Sequence, residues 1–225
     1  MSKTKETDSR RRVLLELVVI TGIGVFLFLL IPSFVWVYEI FSLIYILIER
    51  GIRHRPIERI GIKHHGIIAD LKKNFPIIVL VTVVIQFGVV LEGYLFWSPL
   101  FLRLEDRVAY LQVHFGSFAP SFLFLSLIAT ATFLEELVFR GFVQERLSWF
   151  YNDFVGILIA SLLMSLFHYS SGPLLVVTVD LFFVFLDSSL YGLIYMRSRN
   201  VFAAWIVHLL ADLVSLSLLW TLGTQ

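Results

Sequence analysis

The chain contains no cysteine. That absence removes disulfides, thiolate metal sites and a cysteine nucleophile together. It leaves the compartment open, because a membrane protein on either side of a bilayer can do without them. Charge is also scarce. Only 16% of the 225 residues are Asp, Glu, Lys or Arg, and the formal net charge is +1. No global field therefore draws nucleic acid or acidic substrates to the chain. No internal repeat or low-complexity tract is present. What is abundant is apolar: 58% hydrophobic residues, 22 phenylalanines and a mean hydropathy of +0.87 describe a polytopic membrane protein rather than a soluble core.

At ~20 apolar residues per crossing, spans are expected at residues 13–31, 34–48, 76–97, 118–144, 154–168, 174–196 and 201–220. The fold class is all-α, a polytopic membrane helix bundle of seven transmembrane helices, with six to eight as the range. Barrel strands would instead show alternating segments of roughly ten residues. The run at 13–31 is longer than the ~7–15 residues of a signal-peptide core and lacks a small-residue cleavage site, so it reads as a retained span. Of 18 lysines and arginines, all but Arg103 and Arg107 then fall on one side of the membrane. By the excess of positive charge in cytoplasmic loops, the N-terminus is cytoplasmic and the C-terminus outside. The membrane is the plasma membrane if the source is prokaryotic. Residues 59–75 mix Ile60, Ile62, Ile67, Ile68 and Leu71 with Lys63, Asp70, Lys72 and Lys73, the pattern of an amphipathic helix lying in the interface. His64 and His65 within it read as solvated side chains, since neighbours on a helix point apart.

Against this apolar background, Glu135 and Glu136 stand side by side in the run 118–139, and Arg140 follows. Ionisable residues at such depths cost roughly 2.5–3.5 kcal/mol each on insertion scales and mark functional sites by default. Glu136 and Arg140 are four apart, a spacing that permits an ion pair on one helix face. Glu135 points about 100° away without such a partner, which makes it the chemically adjustable member. His208 and Asp212 are also four apart on a later run, and His168 ends another. At ~1.5 Å per residue, Glu135, His168 and His208 lie about 18, 21 and 11–12 Å from one end of their spans, depths that fit one polar chamber once helices tilt. Asp180 and Asp187 share a span, seven apart, and read as polar linings or interhelical bonds. Glu16, Glu39 and Glu92 read as interfacial or interhelical.

Glu135-Glu136-x-x-x-Arg140, then His168 closing a Phe-x-x-x-His-like segment with Met164 in the Phe position, then His208-x-x-x-Asp212, resembles the CAAX-processing and bacteriocin-processing (Abi) family of intramembrane endopeptidases, which includes the Ras-converting endopeptidase. The strings Phe139-Arg140-Gly141-Phe142 and Gly192-Leu-Ile-Tyr-Met-Arg197 are similar to the family as well. The resemblance covers about ninety residues from Phe133. It divides the chain into a basic tail (1–12), N-terminal spans with an interfacial connection (13–117) and a catalytic core (118–225). It implies a glutamate-type protease without a cofactor, in which Glu135 and His168 activate a water, His208 and Asp212 face the oxyanion, and Arg140 fixes Glu136. The implied substrate is a membrane-associated peptide or protein, prenylated or not, and the bilayer is the other partner. Asp212 stands where the family often has Asn, and an ionised Asp cannot donate a hydrogen bond.

Three alternatives stand beside that reading. A zinc-dependent version of the same protease would use Glu135, His168 and His208 as ligands. A non-catalytic membrane partner or immunity-type protein could keep the fold. A small transporter could use the carboxylates as a proton relay, although no inverted repeat supports it. His-Glu-x-x-His and Gly-x-Ser-Gly signatures are absent.

Overall fold

The computed structural model describes residues 3–31, 35–54, 56–115 and 122–223. Phe34 and residues 118–121 of two expected spans lie outside them. Every regular element among the described residues is helical. α1 (Lys3–Leu30) and α2 (Val35–Arg53) form the first pair, followed by a 3-10 turn (Ile57–Ile60) and the short α3 (Ile67–Lys73). The next span joins α4 (Phe75–Val79), a π-helical segment (Leu80–Ile85) and α5 (Gln86–Phe96). α6 (Ser98–Phe115) leads to α7 (Phe122–Glu136), which runs through a second π-helical segment (Leu137–Gln144) into α8 (Glu145–Phe150). α9 (Asp153–Phe167), α10 (Leu174–Ser198) and α11 (Val201–Gly223) complete the bundle.

Among the described residues, five helices are long and apolar enough to cross a membrane: Arg11–Leu30, Phe75–Phe96, Phe122–Phe150, Leu174–Ser198 and Val201–Gly223. α9 is apolar but shorter, and α2, the other short expected span, carries Glu39, Glu49, Arg50 and Arg53 within one helix. The polytopic helical bundle is therefore present at the expected positions. Its surface is inverted relative to a soluble protein. Phe122, Leu174, Phe96 and Leu29 are exposed while Glu136, Arg140, Gln144, Ser161 and Ser188 are wholly buried, the arrangement of a bundle whose solvent is lipid. The chain is an integral membrane protein.

The tail is helical from Lys3, continuous with the first span. Two expectations need correction. The connection at 98–115, where no helix was expected, is the 18-residue α6. Its charged residues hide it from a hydropathy criterion, yet Leu100, Phe101 and Arg103 are buried. The interfacial segment is no continuous helix. Gly61 and Gly66 both adopt φ of +80, which breaks it into the 3-10 turn and the seven-residue α3. Gly61 sits there because its carbonyl accepts from Val201 N at 2.8 Å while a Cβ would lie 2.6 Å from the Tyr195 ring. His64 is exposed, with its ring packed on Phe202 at 5.5 Å.

Two polar layers cap the bundle. In the first, Arg146 pairs with Glu49, Glu49 with Arg53, and Arg53 with Glu16 at 2.7 Å. Nearby, Arg199 bridges Glu145 at 2.8 Å and Asp153 at 2.6 Å. Asn200 donates to Asp70 at 3.1 Å, and its Oδ1 accepts from Phe202 N, which caps the start of α11. In the second, Arg103 meets Asp180 at 2.6 Å and donates to the Ser170 and Ser171 carbonyls. Asp180 and Arg199 are separated along α10 by about 28 Å of helix rise, close to the ~30 Å hydrocarbon thickness. Asp180 is thus interhelical, as expected.

Candidate active site

α7 ends at Glu136, and the π segment begins at the next residue. Wide π turns recur at functional sites, and all eight residues of this one, including Arg140 and Gln144, are buried. The i,i+4 pair forms as the spacing suggests: Arg140 Nε donates to Glu136 Oε2 at 3.1 Å, with both side chains fully buried. Arg140 Nη2 donates to Ser188 Oγ at 2.6 Å and approaches Met164 Sδ at 3.4 Å. Met164 therefore serves as a packing partner for the guanidinium where the family pattern has Phe.

The second oxygen of Glu136 lies 2.9 Å from His208 Nδ1. This contact was not legible from spacing, which pointed to Asp212 as the partner of His208. Asp212 Oδ2 is 3.8 Å from His208 Nε2, and Glu135 Oε2 is 3.7 Å from that same nitrogen. One imidazole is thus held by Glu136 on one edge and faced by two carboxyl groups on the other. Tyr191 from α10 stacks on its face at 4.6 Å and 21°. Trp205 Nε1, one helical turn earlier, donates to the Ala129 carbonyl at 2.9 Å and Thr132 Oγ1 at 3.2 Å, tying α11 to α7.

His168 caps the C-terminus of α9, and its Nδ1 lies 2.9 Å from the Met164 carbonyl. A carbonyl can only accept, so Nδ1 carries the proton and Nε2 the lone pair of the neutral ring. His168 is a wall of a cavity, ≈ 280 Å³ in volume, which His208, Asp212, Tyr191, Met164 and Asp187 also line.

Sequence reasoning missed Ser188 and Tyr191, whose hydroxyls carry no charge signal on an apolar helix. It read Glu39 only as interfacial or interhelical. This acid is buried on α2, beside Tyr38, whose ring packs on Phe139 at 6.4 Å and Phe167 at 4.9 Å, and it lies within electrostatic reach of Glu135 and His208. Gly192 explains one local signature of the sequence. A Cβ there would lie 2.9 Å from Gln144 Oε1 and 3.4 Å from Arg140 Nη1, so only glycine lets α10 close on the π segment.

Chemically, the arrangement offers one carboxylate locked to a guanidinium, a second beside an imidazole, and a second imidazole across a cavity. Among the described residues no three of His, Cys, Asp and Glu are gathered as a metal site. No curated protein and no solved structure matches the chain. The stretch that builds most of the cluster does match a family model: residues 117–214 are similar to the model described as Rce1-like, type II CAAX prenyl endopeptidase Rce1-like.

Proposed function

We propose that the chain is an intramembrane endopeptidase that hydrolyses a peptide bond in a membrane-associated peptide or protein by glutamate-activated water. The observation that carries this reading is the division of labour between adjacent acids. Glu136 is hydrogen-bonded to both Arg140 and His208, whereas Glu135 is partly exposed and lies 3.7 Å from the far edge of His208.

Glu135 takes a proton from water, which attacks the scissile carbonyl. The same carboxylic acid then delivers that proton to the leaving amine. His168, oriented by the Met164 carbonyl, holds the water through Nε2. His208 has a carboxyl group at each nitrogen and can hold a proton on both, and the doubly protonated ring donates to the developing oxyanion. Asp212 steadies that edge of the ring. Arg140 keeps Glu136 charged and fixed and does not touch the substrate. The mechanism uses no metal. The substrate carries a lipid or lies in the bilayer, with prenylated proteins as the class the family description suggests. The N-terminus and the Glu49–Arg146 layer face the cytoplasm, in keeping with the distribution of Lys and Arg.

The test is reconstitution in liposomes with prenylated and unprenylated candidate peptides. Glu135→Ala should abolish cleavage while the protein stays folded. Undiminished cleavage by that variant sinks the assignment.

A further inference from the structure

The cavity has a second polar end that the proposed chemistry does not use. Gln86 opens α5 directly after the π segment Leu80–Ile85, and its Nε2 donates to Asp187 Oδ2. Ser215 Oγ donates to Gln86 Oε1 at 2.5 Å. All three residues line the cavity. The other oxygen, Asp187 Oδ1, is sealed from solvent and has no hydrogen-bond partner.

The direction of this chain fixes its chemistry. Gln86 turns its NH₂ toward Asp187 and its oxygen toward Ser215, which spends the serine proton on it. Every donor of the relay is therefore aimed at Asp187, and the relay ends on an acceptor with nothing to accept. A buried oxygen left in that state is destabilising, the more so when it is charged. The charge around it points the same way, since Asp212 shares the cavity and His208 is already faced by Glu135, Glu136 and Asp212. The rest of the wall here is apolar, with Leu104, Val108 and Leu219.

Position sets what could reach it. Ser215 is seven residues beyond His208 on α11, about 10 Å of helix rise, and Asp187 is four before Tyr191, about 6 Å. An extended peptide covers such distances in two or three residues at ~3.3 Å each. Gln86 and Ser215 both lie outside the segment that matches the family model, so the site is built partly by this chain's own N-terminal spans.

We propose that Gln86, Asp187 and Ser215 form a specificity subsite, which binds a substrate side chain bearing a hydrogen-bond donor (hydroxyl, amide or ammonium) two or three residues from the scissile bond. The proposal rests on the peptidase reading for the location of that bond, but its test does not need hydrolysis.

Glu135→Gln protein in lipid nanodiscs is titrated with fluorescent, fatty-acylated peptides that differ at one position. Serine, asparagine or lysine is walked along an otherwise alanine and leucine sequence, and binding is read by anisotropy. At one position the donor residues should bind at least tenfold more tightly than their apolar counterparts. Asp187→Asn keeps the shape and lets its oxygen go on accepting from Gln86, so its NH₂ replaces the orphan oxygen. That variant should reverse the preference toward side chains that only accept, such as methionine sulfoxide. Equal binding of all peptides, no binding of any, or a donor preference unchanged in Asp187→Asn overturns the subsite. Wild-type hydrolysis of the same peptides, measured separately, decides the peptidase reading on its own.

Discussion

Glu136→Gln removes one charge from the centre of the site without changing its shape, and two separable consequences follow. The first is energetic. Glu136 and Arg140 are both fully buried, and the Arg140 guanidinium otherwise meets Ser188 Oγ and Met164 Sδ, neither of them charged. Leaving one member of a buried pair uncompensated costs about 3–5 kcal/mol. Because glutamine can still accept from Nε, the lower end applies, about 3 kcal/mol. At roughly 2–4 °C per kcal/mol for a chain of this length, Tm should fall by about 6–12 °C. The second is chemical. Glu136 accepts from Arg140 with one oxygen and from His208 Nδ1 with the other. Glutamine that gives its oxygen to Arg140 presents NH₂ to Nδ1, which then has to accept, so the ring loses its Nδ1 proton and keeps only the one on Nε2. Loss of a charge-assisted hydrogen bond is worth about 1.5–3 kcal/mol, or roughly 10- to 150-fold in kcat/KM. Thermal unfolding in nanodiscs reads the first effect, and ¹⁵N spectra of histidine-labelled protein, with His208 assigned by its own substitution, read the second. Glu136→Gln/Arg140→Met should recover part of the lost Tm, because it removes both charges together. A single variant with wild-type Tm and an unshifted His208 tautomer refutes the account of Glu136 as the anchor of the cluster.

Glu49→Gln should lower Tm by about 6–20 °C by the same conversion, since it removes the charge that faces the almost wholly buried Arg146 and that pairs with Arg53 along α2. Gly192→Ala would gain up to ~1 kcal/mol of helix propensity, but overpacking against Gln144 costs about 1–3 kcal/mol. It should lower activity more than stability, seen as reduced kcat at near-normal Tm, because the displaced atom is the flexible end of Gln144, on the same π segment as Arg140. Arg199→Gly exchanges a strained residue at φ 51 for loss of two part-exposed ion pairs. With each pair worth at most about 1 kcal/mol, Tm should move by less than about 4 °C. Cleavage should survive a zinc chelator that inactivates a metalloprotease control, and chelator-sensitive activity restored by zinc would replace the water-activating role of Glu135 with ligation.

The spans were legible because lipid enforces long apolar runs, and Glu135, Glu136 and Arg140 were legible because the rest of the run 118–144 carries no charge. Local spacing gave the Glu136–Arg140 pair correctly, since both ends sit on one helix. It failed at His208, where the i+4 neighbour Asp212 is 3.8 Å away and the residue at 2.9 Å, Glu136, comes from another helix 72 positions earlier. Spacing on one helix ranks only local partners, and packing chose the other. Hydropathy failed at α6 for a related reason. Arg103 reads as a loop charge in sequence, but its partner Asp180 lies 77 residues away and lets the helix bury it.

The π segments show why the site could not be drawn from ideal helices. An α-helix turns 100° per residue, which would carry Glu135, Glu136, Arg140 and Gln144 on fixed bearings. Here α geometry stops at Glu136, and the wider turn lets Arg140 and Gln144 both reach α10, at Ser188 Oγ and the Gly192 carbonyl. The other π segment does the same for Gln86, delivering it to Asp187 on α10 and Ser215 on α11. Both irregular turns thus end at polar side chains that cross to α10, one beside the reacting carboxylates and one at the far end of the cavity. α10, which supplies no group to the proposed chemistry, is the element on which both ends of the cavity are built. Shifting it should disturb reaction and recognition together.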